Sequence, residues 1–246
     1  MRARVLLLVV GLCCTASLAS ALTVEPNPVL VNATFRGGRI QVSGTTEPGS
    51  LVFVAITGSS VEEKLNRKGR LGPLWANVGS LRFSGVPQLC LVASSAPVPK
   101  NLDPRVLGEY PLDLEAVVRR SKIEPAKDVA LMQHEYLRLK EAQGVYGQFV
   151  GAVKVTTSGQ QATYLGSIPW PDKGSAGEYS VEVIHLKQGA VMRHETATLA
   201  VKLVGLPGFV SHLAFQKSAL YGILSVVIAL SVGFVTGLVF KKSVSH

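Results

Sequence analysis

Apolar and polar positions fall into three rhythms along this chain, and the plainest comes last. From Ala219 to Phe240, in "ALYGILSVVIALSVGFVTGLVF", 22 residues pass without a charge. As a helix they reach roughly 33 Å, enough to cross a ~30 Å hydrocarbon core. A buried helix of a soluble domain is the competing reading, but the run is long and apolar on every side. It predicts a spanning helix over 219–240. Lys241 and Lys242 follow directly. Lys/Arg at one end favours the cytoplasmic side, so 241–246 is expected to be a cytoplasmic tail.

The second rhythm has period two. "LTVEPNPVLV", "GRIQVSG" and "SLVFVAITG" are β-branched runs split by Pro and Gly. "SLVFVAITG" is apolar on both faces, which suits a strand covered on both sides. "LRFSGVPQLCLVASS" continues the pattern. Before it, "EEKLNRKGRLGPLWANVGS" is polar and Gly-rich, and reads as a long connection or an edge hairpin. Strands resume after Gly144 with "QFVGAVKVTT" and "ATYLGSIPWP". The clearest hairpin is "GEYSVEVIHLK", a turn at Gln188–Gly189, then "AVMRHETATLAVKLVG". Tyr179, Val181 and Val183 alternate with Ser180 and Glu182. Ala197, Leu199, Val201 and Leu203 alternate with Thr198, Ala200 and Lys202. This is the chemistry of half-buried antiparallel strands.

Between the two β regions the period is helical. Pro97, Pro99 and Pro104 close the first region. Leu114, Val117 and Val118 make one short apolar face. Pro125 suits the start of a second helix, where its missing N–H costs nothing. Val129, Met132, Tyr136 and Leu139 then form one stripe, which Gly144 ends. Such a stripe is a packing face rather than a cofactor box.

The amino terminus adds a topology. In "MRARVLLLVVGLCCTASLASA", Arg2 and Arg4 precede a short apolar run from Val5 to Cys14. Ala19-Ser20-Ala21 offers cleavage before Leu22, so 1–21 reads as a signal peptide. A retained N-terminal anchor is the alternative. A lipoprotein signal is a poor match, because Leu12 stands before Cys13 where a small residue is needed. With a spanning helix at the other end, 22–204 is expected outside, joined through a membrane-proximal linker over 205–218.

Charge and cysteine content then narrow the function. The formal charge of +9 includes the targeting residues; without Arg2, Arg4, Lys241 and Lys242, 21 basic residues face 16 acidic ones, or +5. Nothing here resembles a nucleic-acid footprint, which needs clustered Lys/Arg with stacking aromatics. A mild attraction to anionic head groups or small anions fits. Cys13 and Cys14 fall within the signal, leaving Cys90 alone, so no intramolecular disulfide is expected. Cys90 sits in the apolar run "PQLCLVASS", as a buried inert thiol or a reactive one.

No catalytic constellation is legible. "HEYLR" at His134 and "HETAT" at His194 start like a zinc-protease helix, which needs His at both i and i+4. The fifth residue is Arg138 or Thr198, so both fail. His185 and His194 flank the last turn and read as surface strand histidines; two His without a third ligand make a poor metal site. Asn32-Ala33-Thr34 is a glycosylation pattern that matters only in a eukaryotic secretory route. Catalytic residues, cofactor and metal are all expected to be absent. Within the spanning segment, Ser225, Ala229, Gly233 and Gly237 recur every four residues. This small-residue stripe suits close approach of another helix, although Gly and Ala are common in such helices anyway.

Two resemblances add to this. "GEYSVEV" is similar to the penultimate strand of immunoglobulin-like sandwiches, where a Tyr marks a corner. More broadly, "GPLWANVGSLRFSGVPQLCLVASSAPV", "GEYSVEVIHLKQGAV" and "ALYGILSVVIALSVGFVTGLVFKK" together resemble the Alph_Pro_TM family of uncharacterised bacterial membrane proteins. Trp75 to Asn77, "VPQLCLVASSAPV" and the Leu220-Tyr221-Gly222 start of the last helix are its most specific parts. The resemblance implies an inner-membrane protein with a periplasmic domain. Members are often encoded beside permeases of the sulfite/sulfonate-exporter type, which implies a transport-accessory role. No catalytic residues come with it.

The expected fold is therefore mainly β: an immunoglobulin-like β-sandwich with a helical insertion near 104–143, plus one C-terminal transmembrane helix. The helices standing between two small β domains is the alternative. The expected function is a non-enzymatic periplasmic accessory or scaffold protein. Its expected partners are inner-membrane lipid and, through the spanning helix, a permease or its own copy. The alternative is a periplasmic module binding a metal or a small anion.

Overall fold

In the computed structural model, residues 22–126 and 128–241 are described. The expected signal peptide, with Ala19 and Ala21 at its cleavage site, lies outside the described residues. So does the end of the expected tail.

Thirteen strands and five helices follow one another among the described residues. The chain opens with β1 (Thr23–Glu25), β2 (Val29–Val31), β3 (Gly38–Thr46) and β4 (Leu51–Thr57). A long hairpin follows, β5 (Ser60–Leu71) and β6 (Leu74–Pro87), then β7 (Cys90–Ser94). The middle holds α1 (Pro104–Glu109), α2 (Leu114–Arg119), β8 (Lys122–Glu124) and α3 (Val129–Ala142). Strands return as β9 (Tyr146–Val150), β10 (Val153–Ser158), β11 (Gln161–Trp170), β12 (Gly177–Lys187) and β13 (Ala190–Leu203). The chain closes with α4 (Gly205–Gln216) and α5 (Ser218–Lys241).

The strands form a sheet in the order β1-β3-β11-β10, a second in the order β2-β13-β12-β4-β7-β9, and a third of β5-β6-β8. The first two enclose the main core, with Ile40, Val42, Tyr164 and Ile168 from one side and Val54, Val181, Val183 and Leu199 from the other. β4 explains why "SLVFVAITG" is apolar throughout. Val52, Val54 and Ile56 face the first sheet. Phe53 points to a core beside α1, and Ala55 to one beneath α2 and α3. The chain leaves the second sheet at β7 and returns at β9, and these two strands pair in parallel. The helices thus cover the sheet they interrupt.

The last hairpin forms as the sequence predicts. Lys187 pairs with Ala190, and Gln188 and Gly189 both take positive φ, at 52° and 84°. That is the two-residue turn whose twist matches its strands. The Tyr179 hydroxyl donates to the Ser175 carbonyl at 2.7 Å, four residues upstream.

Two expectations are corrected. Pro125 does not begin a helix. Residues 122–124 pair with β6 as β8, and α3 starts at Val129 after Asp128 turns into the left-handed region, φ 52°. The stripe on α3 is also rotated. Tyr136 and Lys140 are its buried residues, whereas Val129 and Leu139 are exposed. A polar contact sets the rotation: the Lys140 ammonium lies 2.7 Å from the Glu63 carboxylate, which also accepts from the Tyr136 hydroxyl at 2.9 Å.

The polar segment of residues 62–80 takes the hairpin form, and it is not a separate element. Gly58 donates to the Leu89 carbonyl at 2.9 Å and Gln88 to that of Ser59 at 3.0 Å. The β4–β7 pairing therefore runs on into β5–β6 as one ribbon.

Cys90 is fully buried and free. Burial, with Glu182 adding to it, pushes its thiol up to about 12. The thiolate is the reactive form, so iodoacetamide should leave Cys90 unmodified in native protein and alkylate it in urea. Equal labelling in both, followed by mass spectrometry of the peptide, would contradict this packing.

Candidate functional site

Two places deserve a chemical reading. The first is α5. Its Ser218–Leu238 stretch has a mean hydropathy of 2.2, and none of it is buried against the other described residues. It is long and apolar enough to cross a membrane. At ~100° per residue, Ser225, Ala229, Gly233 and Gly237 share one face. Gly222 and Thr236 join them. Among the described residues a Cβ at Gly222, Gly233 or Gly237 would meet nothing within 4 Å, so the face is open. The hydroxyls of Ser225, Ser231 and Thr236 donate to the carbonyls of Tyr221, Val227 and Val232, at 2.8, 2.8 and 2.7 Å. These three hydroxyls are thus satisfied within the helix, as an apolar surrounding requires. Ahead of it, the expected linker is helical: α4 carries Leu206, Phe209 and Phe215 exposed.

The second place is a polar cluster at one margin of the main core. His185 continues the inward series Tyr179, Val181, Val183 along β12, and is buried. Its Nδ1 lies 2.8 Å from the Thr46 hydroxyl and its Nε2 lies 3.2 Å from the Glu195 carboxylate. An ionised carboxylate only accepts, so Nε2 carries the proton and Nδ1 accepts from Thr46. The Tyr164 ring stands edge-on, centroids 5.4 Å apart. Thr46 and Tyr164 belong to the first sheet, so His185 ties the two sheets together. A cavity of about 260 Å³ opens beside it, lined by Thr45, Thr46, Glu47, Ser50 and Arg193. Among the described residues the buried Ser50 hydroxyl has no partner.

Hydroxyl, imidazole and carboxylate in a row are the parts of an activated nucleophile. Acyl transfer also needs free donors where an oxyanion would form. The strongest donor here, the Arg193 guanidinium, already serves the Thr45 carbonyl and lies 3.6 Å from Glu195.

Comparison with known proteins bears on the membrane helix. The family described as "Putative transmembrane protein (Alph_Pro_TM)" matches residues 21–242, almost the whole chain and all of α5 up to Lys241. The chain belongs to the Alph_Pro_TM family. No curated protein matches it.

In this Alph_Pro_TM chain the two histidines flanking the last turn part company. His185 pairs with Arg193, and His194 with Ile184. Neighbouring strand positions face opposite ways. His194 therefore lies on the other face, 3.0 Å from Glu182, with its ring against Tyr110. Among the described residues, no group of three His, Cys, Asp or Glu stands close enough to hold a metal ion. The expectation of two surface histidines is corrected for His185. Its place at the end of the inward Tyr–Val–Val series was the signal that it is buried. Gly222 and Thr236 were missed likewise, because a count in fours skips neighbours at i±3.

Burial, reinforced by the nearby Arg193 charge, lowers the His185 pKa below its usual 6.5, against the pull of Glu195. The unfolded chain then binds the proton first as pH falls. The contribution is complete above about pH 6.5 and is lost as pH drops from there towards the folded value. His185→Gln should flatten the fall in melting temperature of the full chain between pH 7 and 5. An unchanged slope would remove His185 from that role.

Proposed function

We propose that this Alph_Pro_TM protein is a membrane-anchored accessory protein, not an enzyme, whose spanning helix holds a partner helix. In this reading the signal peptide is removed, the β-rich part works in the periplasm of a bacterial inner membrane, and the tail is cytoplasmic. The partner is a permease of the sulfite/sulfonate-exporter type or a second copy of the chain. The extramembrane part is read as immunoglobulin-like. Its order β1-β3-β11-β10 against β13-β12-β4-β7, with the first strand divided between both sheets, supports that reading.

The observation that carries the proposal is the bare small-residue face of α5, open at Gly222, Gly233 and Gly237. In lipid no hydrophobic gain draws helices together, and close backbone approach at small residues supplies the packing. Gly233→Ile keeps the helix apolar enough to insert and holds a neighbour away. Crosslinking and co-purification from native membranes should recover partner or dimer with the wild type and little with Gly233→Ile or Gly237→Ile. Equal recovery would leave the helix as a tether only.

A further inference from the structure

The β5–β6 ribbon carries an apolar surface that no other part of the described residues covers. Its base is fixed: Val61, Leu65, Leu81, Phe83 and Val86 pack into the core under α2 and α3. That core ends at Leu65 and Leu81. Six residues farther out, roughly 20 Å along a strand, Leu71 pairs with Leu74 across a turn at Gly72–Pro73. Gly72 takes φ 62° and suits this tight turn. Leu71 is 60% exposed, Leu74 71% and Trp75 73%. A turn made only of polar residues would close the ribbon equally well, so these side chains are not explained by folding.

The charges around the tip are of one sign. Arg67 and Lys68 stand inside it, Arg70 stands level with Trp75 as its cross-strand partner, and no Asp or Glu occurs between Lys64 and Arg82. Among the described residues none of these three makes an ion pair; the Arg70 Nε donates to the Gly72 carbonyl, which steadies the turn. Leucines at the turn, an indole and a guanidinium side by side at the next pair and two further cations behind them suit a membrane interface. Trp and Leu enter the boundary of the acyl chains, and Lys and Arg stay level with the phosphates.

The topology brings this tip and the membrane helix from the same end of the sheet. Thr57 of β4, Ser180 of β12 and Thr198 of β13 lie side by side. β4 and β13 run in the same direction there. β4 continues into the ribbon, and β13 into α4 and α5.

We infer that the tip of the β5–β6 ribbon is a second membrane contact, inserting Leu71, Leu74 and Trp75 into the interface of a bilayer that contains anionic lipid. The inference rests on anchorage by α5 and not on any partner helix. The tip and α5 hold the extramembrane part at two points.

Trp75 is itself the reporter, because the chain has only one other tryptophan, Trp170, and that one is buried. The experiment uses the full chain with Trp170→Phe, reconstituted into vesicles of phosphatidylcholine alone or with phosphatidylglycerol, with and without brominated acyl chains. Brominated chains should remove the greater part of the Trp75 emission in the anionic vesicles and less in the neutral ones. Leu71→Ser/Leu74→Ser should lose most of that quenching at unchanged melting temperature. Arg67→Gln/Lys68→Gln/Arg70→Gln should abolish the difference between the two lipids. Trp75 open to acrylamide and untouched by bromine would overturn the inference. Trp75 shielded from acrylamide yet untouched by bromine would overturn it too, in favour of a protein-covered tip. Every variant should still float with the vesicles through α5. Failure to float would count against the anchorage, and leave the tip to be judged by the quenching of Trp75 with added vesicles.

Discussion

Glu63→Ala will destabilise the extramembrane fold by about 3 kcal/mol, the scale for breaking a buried ion pair. Its carboxylate holds the Lys140 ammonium at 2.7 Å and the Tyr136 hydroxyl at 2.9 Å, and the Lys140 side chain is only 10% exposed. Alanine leaves a cation and a hydroxyl under the ribbon without an acceptor. Loss of a partner matters more than the net worth of the pair, because the remaining charge stays desolvated. Glu62 is the internal control. It lies one residue away on the other face of the strand, bound to Arg82 at 3.0 Å, with both side chains more than half exposed, at 57% and 51%. Glu62→Ala should change stability by no more than about 1 kcal/mol. Urea denaturation of the full chain in mild detergent measures both. Equal shifts in midpoint would show that the Lys140 ammonium is not buried against Glu63 as described.

Trp170→Ala will cost about 3–5 kcal/mol, and Trp170→Phe far less. The indole is 2% exposed and meets the Tyr179 ring edge-on, centroids 4.8 Å apart at 85°. Gly174 lies against it: a Cβ there would come within 2.7 Å of the indole nitrogen. Among the described residues that nitrogen has no hydrogen-bond partner. Phenylalanine therefore keeps most of the packing and removes a polar group that was buried without compensation, whereas alanine leaves a cavity. Thermal melts of the full chain separate the two. A large loss with phenylalanine would mean that the indole N–H is in fact bonded.

Where one force decides the local conformation, the sequence was readable. The alternation from Tyr179 to Val183 and the Gln188–Gly189 turn lead directly to β12 and β13, because burial of one face and a tight turn act together there. The double-faced β4 was readable for the same reason. Where a contact comes from far along the chain, the reading went astray. The rotation of α3 depends on Lys140 meeting Glu63, 77 positions earlier, and β8 exists only because β6 offers it an edge. The exposed tip was legible as residues and not as a feature. Leu71, Leu74 and Trp75 lie in a segment that reads as a connection or an edge hairpin, and only the end of the core at Leu65 shows them uncovered. The face of α5 was half legible, since spacing in fours picks one ridge of a helix and leaves out Gly222 and Thr236 beside it.

The parallel pairing of β2 with β13 has a consequence for biogenesis. Val29 pairs with Val201 and Val31 with Leu203, so the second strand and the last strand of the extramembrane chain are neighbours. A ribosome delivers these partners far apart in time, and closure over such a distance is slow. Until β13 is made, β12 presents an open edge along its whole length. α5 begins at Ser218, 15 positions after Leu203. The final strand therefore reaches its place only as the anchor emerges behind it. Completion of the fold and arrival of α5 become one late event, and a chain that stalls before residue 203 is left with both an unpaired edge and no α5 anchor.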